Sequence, residues 1–269
     1  MADRVMPGPV DNTACVREAV CVHTQKIYDS CRDKDCIEDL RLYPDTASQA
    51  YIANAIGVRA KSAELLYAAI DVEEVAFNRG YYTVDVRYFY KIKGEAYSLT
   101  CGAERITGLC VFDKRVLLFG SEGNAKVFSS RPGCGGIART NLPIAVVEAV
   151  DPIVLGIKLT EVGEGSAGDF ELAEIPQFIS AAFPNGLLLT HECKRVYVTL
   201  GQFSIIRLER DSQLLMPVYD YCLPEKECIG SSDDDPCELF KRIRFPVDEF
   251  FPPDTVDNCD SYKSAIGTD

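Results

Sequence analysis

The sequence predicts a mainly β fold: two antiparallel β-sandwich or barrel-like modules, with few short helices and extended terminal arms. Three observations carry that expectation. The first is residues 77–93, FNRGYYTVDVRYFYKIK, in which Tyr82, Val84, Val86, Tyr88, Tyr90 and Ile92 share one face of an extended chain. Side chains alternate across a strand with period 2, so that face is apolar while Tyr81, Thr83, Asp85, Arg87, Phe89 and Lys91 form a mixed one. The second is residue type, because β-branched and aromatic side chains suit a pleated, half-buried surface. The third is a series of short apolar runs separated by turn signals, the pattern of a sandwich or barrel.

Taken in order, residues 1–14 hold Pro7, Gly8 and Pro9 and read as a loose arm. Residues 15–43 are dense, with strand alternation at 20–28. Asp45-Thr46 offers N-caps for a helix through 47–56 that Gly57 closes. The chain then turns extended over 58–66 and enters a hairpin at Asn78-Arg79-Gly80, a short Asn/Gly connection between apolar runs. Strands are expected at 96–101, 105–112, 116–119 and 125–128, with turns at Cys101-Gly102, Asp113-Lys114 and Glu122-Gly123-Asn124. The breaker cluster RPGCGG at 131–136 marks a boundary.

Beyond it, 144–159 supplies strand broken at Asp151-Pro152, because proline cannot donate to a central ladder. Residues 173–183 read as a short helix or irregular chain, and 187–189 as a short strand. Residues 195–207 form a second strong strand with Gly201 as a bulge or turn, and 214–222 a third. DKRVLLFG (113–120) and CKRVYVTLG (193–201) resemble each other faintly. The tail FPVDEFFPP (245–253) holds three prolines, so it is neither helix nor central strand, and its aromatics need cover. The expected organisation is an N-terminal arm with a cysteine-containing segment (1–57), a first β module (58–136), a second (137–228), and an acidic, aromatic-proline arm (229–269).

Composition narrows the function. The chain has 269 residues, 47% of them hydrophobic and 26% charged, enough for a real core. Its net charge of -13 argues against nucleic acid or an anionic membrane as partner, since both call for a basic surface. Glu148, Asp151 and Lys158 interrupt the most apolar region, so no membrane span is expected. The start Met-Ala-Asp-Arg has no apolar core of secretory type, and synthesis in the cytoplasm without a signal peptide follows as an expectation.

The two histidines, His23 and His191, stand apart from each other, and neither a nucleophile elbow nor a phosphate-binding loop is present. No catalytic residue, metal ligand or cofactor is therefore assigned, and an enzyme is not expected. Twelve cysteines point elsewhere. Four, Cys15, Cys21, Cys31 and Cys36, precede position 40, and four, Cys222, Cys228, Cys237 and Cys259, follow position 220. Their spacings include no CxxC pair, which weakens structural zinc. SCRDKDCIED has alternating acids but lacks the glycine and distal glutamate of a calcium loop. These eight thiols are candidates for cross-links, and Phe245, Phe250 and Phe251 for assembly contacts. A sheet-rich, acidic chain with thiols at both ends reads as a self-assembling structural protein whose partners are copies of itself. The alternative is a soluble cytosolic metal- or ligand-binding module.

The strings CVHTQKIYDSCRDKDCIEDLR (21–41), AFNRGYYTVDVRYFYKI (76–92), LFGSEGNAKVFSS (118–130) and SIIRLERDSQLLMPVYDYCLPEKECIGSSDDDPCELF (204–240), with FPVDEFFPP, resemble an uncharacterised protein family of anaerobic spore-forming bacteria. That family brings no assigned activity, so no catalytic residue carries over. A looser similarity, resting on cysteine content rather than motifs, is to cysteine-rich, self-assembling spore coat and exosporium proteins. It implies deposition on the spore surface, in filaments or layers, with other spore-surface proteins as further partners. Spore outer layers form inside the mother cell, which reconciles cytoplasmic synthesis with many thiols.

Overall fold

The computed structural model describes residues 21–99, 102–122, 142–161, 175–188 and 194–215, together with Phe240, Phe245, Pro246 and Phe250. Seven strands and two short helices follow in chain order: β1 (Cys21–Pro44), α1 (Thr46–Ala53), β2 (Gly57–Glu74), β3 (Tyr81–Ser98), β4 (Gly102–Phe119), β5 (Ile144–Ala149), β6 (Ile153–Glu161), α2 (Gln177–Ser180) and β7 (Lys194–Leu215). All pairings are antiparallel, in the order β2-β3-β4-β1-β7-β5, with β6 beside β5 along the same edge of β7. The free flank of β2 runs alongside β6 and β5, so the sheet nearly closes into a barrel. At that seam the Leu65 amide donates to the Asp151 carboxylate at 2.8 Å rather than to a strand.

The expected alternation of β3 is borne out. Tyr82, Val84, Val86, Tyr88, Tyr90 and Ile92 are all buried in the main core. Full burial of a side chain such as Val84 or Ile92 contributes about 1.5–3 kcal/mol relative to exposure. Across the ladder Val84 meets Val116, Tyr88 meets Phe112 and Tyr90 meets Cys110. Gly80 closes the β2–β3 hairpin with φ at 79°, in the left-handed region that glycine occupies without a Cβ clash. The helix start is also as expected: Asp45 caps α1, its carboxylate accepting from the Ser48 amide at 2.7 Å. Asn54, not Gly57, stands at the other end, and Gly57 already begins β2.

Other expectations are corrected. Asp113-Lys114 is not a turn: β4 runs unbroken through it, because Lys114 points inward to two carboxylates while Asp113 and Arg115 pair with β3 outside. Residues 96–98 extend β3 instead of forming a new strand. The strand expected at 20–28 is longer: residues 21–44 form one 24-residue strand paired with β7 along nearly all its length. One core cluster joins residues of β1, β3, β4 and β7. The break at Asp151-Pro152 does divide β5 from β6.

Two smaller clusters cover the outside. α2 and the turn after it lay Ile179 and Phe183 over Phe89 and Leu109 on the outer face of β3 and β4. Phe240 and Phe245 lie over Phe203 and Ile205 of β7. Gly201 is needed within β7 because a Cβ there would come within 2.6 Å of the Phe240 ring.

Candidate functional site

The most unusual chemistry lies inside the barrel. β1 carries Cys31, Asp33, Asp35 and Ile37 at period 2, all on the inward face. A bulge between Ile37 and Leu40, where Asp39 has φ at 52°, then shifts the parity so that Leu40 and Leu42 still face the core. The bulge is what allows one strand to present acids at one end and leucines at the other to the same interior.

Lys114 of β4 meets these acids. Its ammonium contacts Asp33 Oδ2 and lies 2.5 Å from Asp35 Oδ2. The side chains are 8% exposed for Lys114, 9% for Asp33 and 16% for Asp35. Asp33 is oriented by its other oxygen, Oδ1, which accepts the Lys34 amide at 2.7 Å. Burial pushes Asp35 up to about 6; Lys114 opposes that rise, and the neighbouring Asp33 adds to it. Two carboxylates against one ammonium cannot both stay ionised cheaply in a dry interior.

The walls are polar at their tips. The Tyr90 hydroxyl and Oε1 of Gln202 are buried without a hydrogen-bond partner among the described residues, while the buried hydroxyls of Tyr88 and Ser204 interact with each other. Burial raises the Tyr88 and Tyr90 hydroxyls well above their ordinary value, and the charge on Asp35 raises both further. Cys110 lies beside them as a buried free thiol, pushed up by burial. The cluster holds a base, two acids and hydroxyls in a place water does not readily reach. Among the described residues no group of three histidine, cysteine or acidic side chains is placed to hold a metal.

The outer face of the same strands is different. Arg87 pairs with Asp113 and Arg115 with Asp85 across the β3–β4 ladder, both in bidentate fashion. They line an open groove of about 540 Å³ with Ala69, Ile70 and Asp71. Arg115 beside Asp85 holds that carboxyl below its usual range.

Residues singled out from the sequence are only partly visible. Cys31 faces the core, 2% exposed, so a bond to a second copy is closed to it while the barrel is folded. Cys36 is half-buried opposite Gly201, and neither Cys31 nor Cys36 is a free thiol. Cys21 begins β1. Cys15, Cys222, Cys228, Cys237, Cys259 and Phe251 lie outside the described residues. Phe245 is 7% exposed and packs edge-on against Phe203, while Phe250 stacks on Phe245 at 5.0 Å. The Phe245 ring thus packs against its own chain.

The Asp33–Lys114–Asp35 cluster was missed from sequence, although its signal was present: acids two residues apart share a strand face, and that face also carries Cys31 and Ile37. No helix among the described residues is long and apolar enough to cross a membrane.

Comparison with known proteins yields one informative match. A stretch of 67 residues is 40% identical to exosporium protein A of Clostridium sporogenes, covering 24% of this chain and 20% of that protein. The chain thus matches about a fifth of the length of that curated relative. No family model matches the chain, and no solved structure does.

Proposed function

We propose that this chain is a structural component of the spore surface that assembles with copies of itself into a filament or layer. The observation that carries the reading is the 40% identity to an exosporium protein over 67 residues. The strand-rich fold supports it, since open strand edges add neighbours by backbone hydrogen bonds. The outer flank of β2 joins no strand ladder among the described residues, although β6 and β5 run alongside it. That edge is guarded by register shifts near Lys61 and Leu66 and by exposed Lys61, Glu64, Asp71 and Glu73, which restrict what can dock there. Cysteines near the chain ends, Cys15, Cys222, Cys228, Cys237 and Cys259, supply covalent links between copies, and the terminal segments make the contacts.

Mass photometry and negative-stain imaging of the full chain, with and without reductant, test the reading. Ordered assemblies that reductant shortens or loosens are expected. A monomer under both conditions would end it. A second reading, a ligand-binding module, is favoured by the unpartnered interior oxygens of Tyr90 and Gln202. A small molecule that co-purifies with the chain and raises its melting temperature would favour this reading over the first.

A further inference from the structure

We propose that Lys114 and Asp33 form a modification site: an intramolecular isopeptide bond between Lys114 Nζ and Asp33 Cγ, with Asp35 carrying the proton. Three features of the interior converge on it. The amine and the carboxyl are already in contact, and both are less than a tenth exposed. The third group, Asp35, lies 2.5 Å from the same nitrogen, placed to take a proton and return it. Tyr88 and Tyr90, fully buried, lie close enough to Asp35 for its charge to act on their hydroxyls.

The step balances within the chain. The Lys114 ammonium gives a proton to the Asp35 carboxylate. The freed amine attacks Asp33 Cγ, forming the C–N bond and a tetrahedral centre. That centre expels one Asp33 oxygen as the C–O bond breaks. The departing oxygen takes one proton from the nitrogen and one from Asp35, leaving as water. An ammonium and a carboxylate become an amide and water, and Asp35 ends as it began. No oxidant, metal or external group enters.

In water this condensation is opposed because the separate ions are well solvated. Here that solvation is already lost on folding, and an uncharged amide relieves the burial of two ions. Holding the two groups in contact also replaces a bimolecular encounter with a unimolecular one. The buried hydroxyls of Tyr88 and Tyr90 are close enough to feel the charge on Asp35, and Tyr88 also that on Asp33, so polar groups stand near the charge that would develop on the tetrahedral oxygen.

The bond has a mechanical purpose in this topology. β1 pairs with β4 only at Tyr43↔Leu109 and Pro44↔Gly108, so the two halves of the barrel are joined by a short ladder at one end. A covalent tie from Asp33 to Lys114 fastens them higher up. This holds whether or not the chain assembles.

Intact-mass spectrometry of the reduced full chain tests it. The expected mass is one water below that of the sequence, with a proteolytic product that joins the peptides bearing Asp33 and Lys114. Lys114→Arg, which keeps the charge but hinders the attack, restores the full mass, and Asp35→Asn does the same while retaining a β-sheet circular dichroism spectrum. Full sequence mass with separate peptides in the folded wild-type chain would overturn the proposal. So would a missing water that fragmentation places elsewhere, such as a cyclic imide within one peptide. A joined product persisting in Asp35→Asn would overturn the role given to Asp35.

Discussion

Asp113, Lys114 and Arg115 are consecutive, yet they occupy two different solvents. Asp113 and Arg115 face outward and pair with Arg87 and Asp85, where Asp113 and Arg115 are 60% and 70% exposed. Lys114, between them, is 8% exposed and holds two acids inside the barrel. Chemistry is nearly the same on the two faces; dielectric is not. Exposed pairs are solvated, screened and weakly coupled. A buried ammonium between carboxylates is costly to place and more costly to leave incomplete. Position on a strand, rather than residue type, decides which charges carry consequence.

Breaking the inner side should have the largest effect. Lys114→Ala leaves Asp33 and Asp35 buried with neither an ammonium nor an amide partner between them, and the expected loss is about 3–5 kcal/mol in urea unfolding. A loss no larger than that of Arg87→Ala would erase the distinction between the faces.

Asp35 sharpens the contrast through pH. Its carboxyl is raised to about 6 by burial, so the folded chain holds that proton more tightly than the unfolded chain does. The stabilisation is therefore fully present below the ordinary carboxyl range and is lost as pH rises through about 6. Melting temperature should fall between pH 4 and pH 6 on this account, over roughly the interval separating the ordinary and raised values. Asp35→Asn should flatten that slope, and a slope unchanged in the variant would show that other groups cause it.

The outer pairs set the lower end of the scale. A double-mutant cycle on Arg87 and Asp113 should give a coupling of about 0.2–1 kcal/mol that shrinks with added salt. Coupling above that range and indifferent to salt would mean the outer face is as dry as the inner one.

Much of the fold was legible because it is periodic or local. The face of β3 could be read from alternation alone, and the Asp45 cap from an acid ahead of a helical run. The break at Asp151-Pro152 followed from the proline's missing donor. DKR at 113–115 misled for a physical reason: three charged residues in a row suit a turn, unless one has partners waiting on a strand distant in sequence. Asp33 and Asp35 were visible as neighbours on one face, but which face was inward depended on the bulge at Asp39 and on pairing with β7. The fate of Phe245 likewise depended on β7 offering Phe203 as a surface.

By itself the chain of residues determined strand character, the hairpin at Asn78-Arg79-Gly80 and the apolar face of β3, since each rests on the conformational preferences of near neighbours. The tertiary structure alone decided that Lys114 meets Asp33 and Asp35, that β1 spans both halves, and that Phe245 packs on Phe203 of β7. Those are contacts between residues remote in sequence, set by strand order and register, and burial has no meaning for a charge until the strands around it have closed.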